Sequence, residues 1–117
     1  MKEIKAYIRV HMLDKVIRGL EEAGFTDMTV IDVHAIRRGL RDEDVAYSVE
    51  LAGRYMNVAK LTIVVRDHDV EVVTRLICKR ARTGAKGDGL IYVSPVEQAI
   101  HIHTGSSGES AVESPGE

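Results

Sequence analysis

One pattern of hydrophobic spacing occurs twice in this chain, and it constrains the fold more than any other feature. Residues 2–10 alternate, with Ile4, Ala6, Ile8 and Val10 on one side and Lys5, Tyr7 and Arg9 on the other. A period of two is that of a half-buried strand. Leu13, Val16, Ile17, Leu20 and Ala23 then recur at helical spacing, with Asp14 expected in the first turn and Gly24 placed to end the helix. Thr29–Ile36 is rich in β-branched residues and predicts a second strand. The succession returns with Lys60–Val65 as a strand, and Asp67–Asp69 then caps and charges the start of a helix. Val70, Val73, Ile77 and Ala81 form its apolar stripe, Gly84 ends it, and Leu90–Val93 makes a fourth strand. Beyond Pro95, Gln98–His103 is expected as a short fifth strand.

Strand–helix–strand, repeated, predicts an α+β domain of the ferredoxin-like βαββαβ kind with a short extra C-terminal strand. Two helices cover only one face of a four-stranded sheet. The other face should carry Tyr7, Thr29, Ile31, Thr62, Val64 and Tyr92. Apolar residues there need a cover, and self-association supplies the simplest one.

Composition narrows the function classes. The 117 residues suffice for one domain, and with no Trp and one Phe the core must be aliphatic. A net charge of −2 gives no case for nucleic acid. The single cysteine, Cys78, excludes an internal disulfide, and its place in a helical apolar pattern predicts a buried, inert thiol. No apolar run approaches the roughly 18 residues of a membrane span. The N-terminal stretch has no signal-peptide core, so a cytoplasmic location is expected. Residues 104–117 are Gly, Ser, Glu and Pro rich, contain Glu109, Glu113 and Glu117, and lack Lys and Arg. They read as a disordered acidic tail, leaving 1–103 as the folded domain.

Two stretches fall outside the periodic pattern. Residues 37–57 run from Arg37, Arg38, Gly39 and Arg41 through Asp42, Glu43 and Asp44 to Tyr47, Gly53 and Tyr55. A loop this long in a small domain is often functional. Thr83–Val93 reads TGAKGDGLIYV, with Gly84, Gly87 and Gly89 close together. Such a loop can turn several N–H groups toward one anion, and Asp88 can hold the turn through its own side chain. On these residues alone, a phosphate loop and a helix cap followed by a tight turn both stand. No nucleophile–base–orienter set is spaced for catalysis, and Asp42–Asp44 is a solvated charge run, so no enzymatic activity is predicted.

TGAKGDGLIYV, followed by Ile100-His101-Ile102-His103-Thr104-Gly105, resembles the C-terminal signature of the PII signal-transduction proteins, the nitrogen regulatory protein P-II family. Lys2–Val10, Leu13-Asp14 and Met28-Thr29-Val30 extend the resemblance, which spans residues 1–105. It implies a homotrimer with the sheets facing inward. It also implies an adenine nucleotide (ATP, ADP or AMP) in clefts between neighbouring subunits. By that resemblance Gly87, Asp88 and Gly89 match the phosphate loop, with Leu90 directly after them. Arg38 matches an arginine at the foot of the long loop, and Thr29 and Val64 match positions around the adenine. His101 and His103 stand where the family has two arginines. Backbone N–H groups and an Arg fork both suit phosphate oxygens. The long loop, 37–57, is implied to report ligand state to a partner protein. Divergent branches of the family are linked to bicarbonate and metal transport, which makes a membrane transporter one candidate partner.

The chain also departs from the family pattern. Leu90 and Val58 stand where lysines are usual, Gly39 replaces a glutamine that helps bind Mg-ATP and 2-oxoglutarate, and Leu51 takes the place of a tyrosine that some relatives have uridylylated. Fewer fixed positive charges at the phosphate end favour ADP or AMP over ATP. Neutral histidine still donates one hydrogen bond, and protonated histidine pairs with phosphate. Two alternatives stand beside this reading. His101 and His103, at i and i+2 on one strand face, can ligate Zn or Cu, with His34 or His11 as further ligands in a trimer. The chain can also serve as a ligand-free interaction scaffold.

Overall fold

In a computed structural model, which describes residues 1–33, 58–84, 87–112 and 114, the repeated pattern becomes four strands and two helices. They are β1 (Lys2–Arg9), α1 (Val10–Glu22), β2 (Met28–Val33), β3 (Val58–Val65), α2 (Val70–Ala81) and β4 (Gly89–Pro95). The sheet order is β2-β3-β1-β4, and each described pairing is antiparallel. This is the ferredoxin-like arrangement: each half crosses over through its helix, and β1 lies between β3 and β4.

The alternation in β1 settles which face is buried. Ile4 and Ala6 are fully buried and Ile8 nearly so. They meet Leu61, Ile63 and Val65 of β3 and the helix residues Val16, Leu20, Val73 and Ile77 in one aliphatic cluster, to which Phe25 adds the aromatic ring. The helices pack on that face only. Gly19 lets them approach closely, since a Cβ there would lie 2.9 Å from Cδ2 of Leu76.

The end of α1 is fixed by a glycine-terminated cap. Gly24 takes φ +94° and donates to the Glu21 carbonyl at 2.9 Å, and Phe25 N–H donates to the Leu20 carbonyl at 2.8 Å. This is the paired hydrogen bonding of a Schellman cap, completed by the buried Phe25 ring. Gly24 is therefore the terminator that the sequence predicts.

Several local expectations are corrected. Helix α1 begins at Val10, so Asp14 lies past its first turn and instead pairs with Arg18 at 3.2 Å. Asp67–Asp69 forms a separate 3-10 turn, and no side chain caps α2 there. Cys78 is exposed rather than buried, because it lies on the solvent side of α2 beside the buried stripe of Val73, Ile77 and Ala81. Gln98–His103 forms no fifth strand; Ile100 makes an isolated bridge to Ser107, and the chain turns back on itself.

Composition predicts disorder from residue 104, yet the described part of that segment makes defined contacts. Glu109–Ala111 forms a 3-10 turn and Val112 is buried. Residues 37–57, with Arg38, Gly39 and Leu51, lie outside the described residues, as do His34, Glu113 and 115–117.

Leu61 is fully buried at the centre of the cluster. Leu61→Ala should lower stability by about 2–5 kcal/mol, the range for a cavity that its surroundings cannot refill. Equilibrium urea unfolding measures it.

Candidate functional site

The glycine stretch is closed by one carboxylate. Asp88 Oδ2 accepts the N–H groups of Thr83 at 2.9 Å and Gly84 at 3.1 Å, and Asp88 Oδ1 accepts the Thr83 hydroxyl. Arg9, at the end of β1, brings its Nε within 3.4 Å of the same Oδ1. These hydrogen bonds, led by the Thr83 hydroxyl, hold the Asp88 carboxyl below its ordinary value of 3.8. Asp88 is thus bound to its own loop, clasping the exit from α2 to the entry of β4.

Gly89 serves backbone packing. It has φ +122°, and a Cβ built there would lie 1.7 Å from the Tyr7 carbonyl oxygen. A side chain at Gly89 would thus break the pairing of Gly89 with Ile8. Gly87, at φ +91°, has a different neighbour: its Cβ would meet an Arg9 guanidinium nitrogen at 3.2 Å. Leu90 follows on the open sheet face, opposite Tyr7 and 55% exposed. Around this end of the sheet lies a cavity of about 290 Å³, bounded by Tyr7, Ile77, Cys78, Asp88, Gly89 and Leu90.

Thr29 and Val64 lie elsewhere. Thr29 pairs with Thr62, and Val64 pairs with Glu3 on the neighbouring strand. Together with Phe25 and Val112 they bound a second cavity of about 320 Å³. The two cavities lie toward opposite ends of β1: Glu3 of β1, Thr62 and Val64 of β3 and Thr29 of β2 bound the first, and Tyr7 and Ile8 of β1 with Gly89 and Leu90 of β4 bound the second. β2 and β4 are three strand spacings apart, about 14 Å, and the register from Lys5 to Ile8 adds about 10 Å along β1. One chain therefore brings Gly87, Asp88, Gly89 and Leu90 together, and Thr29 with Val64, but does not join the two groups.

His101 and His103 make a third location. Both are exposed, in a turn where His101 N–H donates to the Ser106 carbonyl at 2.8 Å and its own carbonyl accepts from Gly105 at 2.7 Å. The shared strand face on which the metal alternative depended is absent at these residues. Among the described residues no group of three or more His, Cys, Asp or Glu side chains is gathered for a metal ion. His11 is exposed on α1, away from this turn.

The open face of the sheet is continuous and mixed in character. Across it run Thr29, Thr62, Lys5 and Tyr92 in one row, then Ile31, Lys60, Tyr7 and Leu90 in the next. Tyr7 and Tyr92 meet edge to face with centroids 5.9 Å apart. Ile31 and Tyr92 remain about half exposed.

Sequence reasoning missed Arg9, Thr83, Arg66 and Val112. Arg9 needed the strand register, which alternation alone does not give. Thr83 was within reach: a hydroxyl residue five positions before an Asp flanked by glycines is a local closure signal. Arg66 donates to the Val112 carbonyl at 3.1 Å and the Glu109 carbonyl at 3.0 Å, contacts between segments more than forty residues apart that no local pattern reports.

Fold and site together define a small α+β domain with an open sheet face and a glycine loop at the sheet edge. Comparison with known proteins carries this further. The family model described as nitrogen regulatory protein P-II matches residues 1–106. A relative from Methanothermobacter thermautotrophicus, nitrogen regulatory protein P-II 2, is 42% identical over 96% of this chain and 97% of its own length. The nitrogen regulatory protein P-II of Microchaete diplosiphon is 38% identical and that of Rhodobacter capsulatus 37%, each over 96% of this chain and the whole of the relative. The chain belongs to the nitrogen regulatory protein P-II family, and its class is that of a signal-transduction regulator. No helix among the described residues is long and apolar enough to cross a membrane.

Two measurements test the loop. Gly89→Ala should destabilise the fold by at least about 1–3 kcal/mol from backbone strain alone, with the Tyr7 clash added. Gly84→Ala, at φ +89° but facing open space, should cost less. Chemical denaturation of both variants gives the order. A depressed carboxyl contributes stability above its ordinary value and loses it as pH falls through the lowered one. Unfolding midpoints followed from pH 7 to about pH 2 should therefore fall less steeply below about pH 4 in Asp88→Asn than in wild type.

Proposed function

We propose that this chain binds an adenine nucleotide between copies of itself and controls a partner protein through residues 37–57. The single observation that carries this reading is the separation of the two half-sites. Thr29 lies on the edge strand β2 with Val64 beside it on the inner strand β3, while Gly87–Leu90 lie at the β4 edge and toward the other end of β1, so two copies side by side would let one ligand touch both groups. The half-exposed Ile31, Leu90 and Tyr92 on the open face favour such an assembly, a homotrimer in this reading. The N–H groups of the glycine loop and the Arg38 guanidinium face the phosphates, Thr29 and Val64 flank the base, and His101 and His103 approach the phosphates from the neighbouring copy. Because Leu90 supplies no charge, a diphosphate or monophosphate is favoured over ATP.

The protein acts as a regulator and not as an enzyme, from the cytoplasm, with a membrane transporter as one candidate partner. Ligand contacts at Arg38 favour one arrangement of the long loop over others, and that shift is the signal.

Titration calorimetry with ATP, ADP and AMP tests the reading. Arg38→Ala should weaken binding by about 10–100-fold, the value of one charge-assisted hydrogen bond set. Material that sediments as a monomer, or a variant that binds as well as wild type, would sink it.

A further inference from the structure

The outer side of α2 carries a stripe of exposed residues directed away from the core. Val72, Arg75, Lys79 and Arg82 follow one another at helical spacing, so they share one face, opposite the buried Val73, Ile77 and Ala81. The stripe is about 15 Å long at the helical rise. Arg75 pairs with Glu71 of the preceding turn. Among the described residues Lys79 and Arg82 have no carboxylate partner, whereas Arg18 and Arg80 pair with Asp14 and Glu22. A shallow hollow of about 370 Å³ lies along the stripe, bounded by Thr74, Arg75, Cys78, Lys79 and Arg82. At the N-terminal end of the stripe Val72 is 52% exposed.

Cations near the end of a helix complement its dipole, which accounts for part of this charge. It does not account for the gathering of Lys79 and Arg82 with the mid-helix Arg75 around one hollow, beside an exposed valine. Such a row recognises carboxylates: guanidinium forks match them, and an ammonium adds a point charge. A flat anionic bilayer suits it less well. Glu71 interrupts the face, and Glu22 of α1 stands nearby at Arg80, so a membrane surface would meet carboxylates too. The net charge of −2 likewise speaks against nucleic acid. A narrow segment laid along the helix avoids both acids.

We infer that the outer face of α2 is a docking surface for an acidic segment of a partner protein. Carboxylates of that segment meet Arg75, Lys79 and Arg82, and an apolar side chain covers Val72. Arg82 also borders the cavity at the glycine loop, so a seated segment reaches the rim of that loop. The inference does not rest on the nucleotide reading, and it adds a contact surface outside residues 37–57.

The probe is a capped peptide of about twelve residues with glutamates at i and i+4, and its glutamine counterpart is the control. Binding to the full chain is read without nucleotide, from the rate at which iodoacetamide, an uncharged reagent, alkylates Cys78. The glutamate peptide should slow alkylation, and the effect should fade as sodium chloride rises from about 0.05 to about 0.5 M. The double variant Lys79→Gln/Arg82→Gln should weaken the peptide by about tenfold or more. Both positions are exposed, so the variant keeps the fold. No slowing at millimolar glutamate peptide, equal slowing by the glutamine peptide, or full affinity in the double variant overturns the proposal. So does protection of Cys78 by phosphatidylserine vesicles in place of the peptide, which would make the partner a membrane surface. A chain that binds the peptide but no ADP loses the nucleotide reading alone.

Discussion

The architecture depends on one backbone contact, the approach of Gly89 to the Tyr7 carbonyl at the start of the β1–β4 pairing. No side chain fits between them. That closeness sets where β4 begins, and through the β1 register it sets which residues of β4 share the open face with Tyr7. It also fixes the exit of the glycine loop, whose entry Asp88 holds by accepting from Thr83 and Gly84. The described ends of the loop are thus both fastened.

The elements were legible because their hydrophobic periods are clean. β1 buries alternate residues as its sequence predicts, and the α2 stripe of Val73, Ile77 and Ala81 is buried as its spacing predicts. The local pattern misleads where a residue's surroundings are set by a neighbour outside the local window. Cys78 follows a buried Ile77, yet one step of about 100° around a helix turns it to solvent. Gln98–His103 alternates like a strand, but a strand needs a partner, and the described pairing there is the local one between Ile100 and Ser107. Composition also does not report the bonds from Arg66 to Glu109 and Val112 or from Ser114 to Asp69.

The candidate site was legible in part for the same reason. The residues of the glycine loop are contiguous, so the sequence groups them correctly. Thr29 and Val64 come together through the β2–β3 pairing, and the resemblance rather than the spacing pointed to them. Their separation from the glycine loop is a property of sheet order, which places β2 and β4 at opposite edges. The structure adds local contacts of Asp88 and Gly89 that the resemblance does not report. One is consumed by the loop's own hydrogen bonds, and the other permits strand contact. The N–H groups that such a loop presents owe their orientation to both.

The outward-facing sulfur of Cys78 has a practical consequence. It is the chain's single thiol, it stands on the helical side of the molecule, and it borders the cavity that Asp88 and Gly89 also bound. A fluorophore or spin label attached there would sit at the rim of the glycine loop without entering the sheet, and no competing sulfhydryl would need to be removed first. The molecule thus carries its own attachment point for watching that loop in real time.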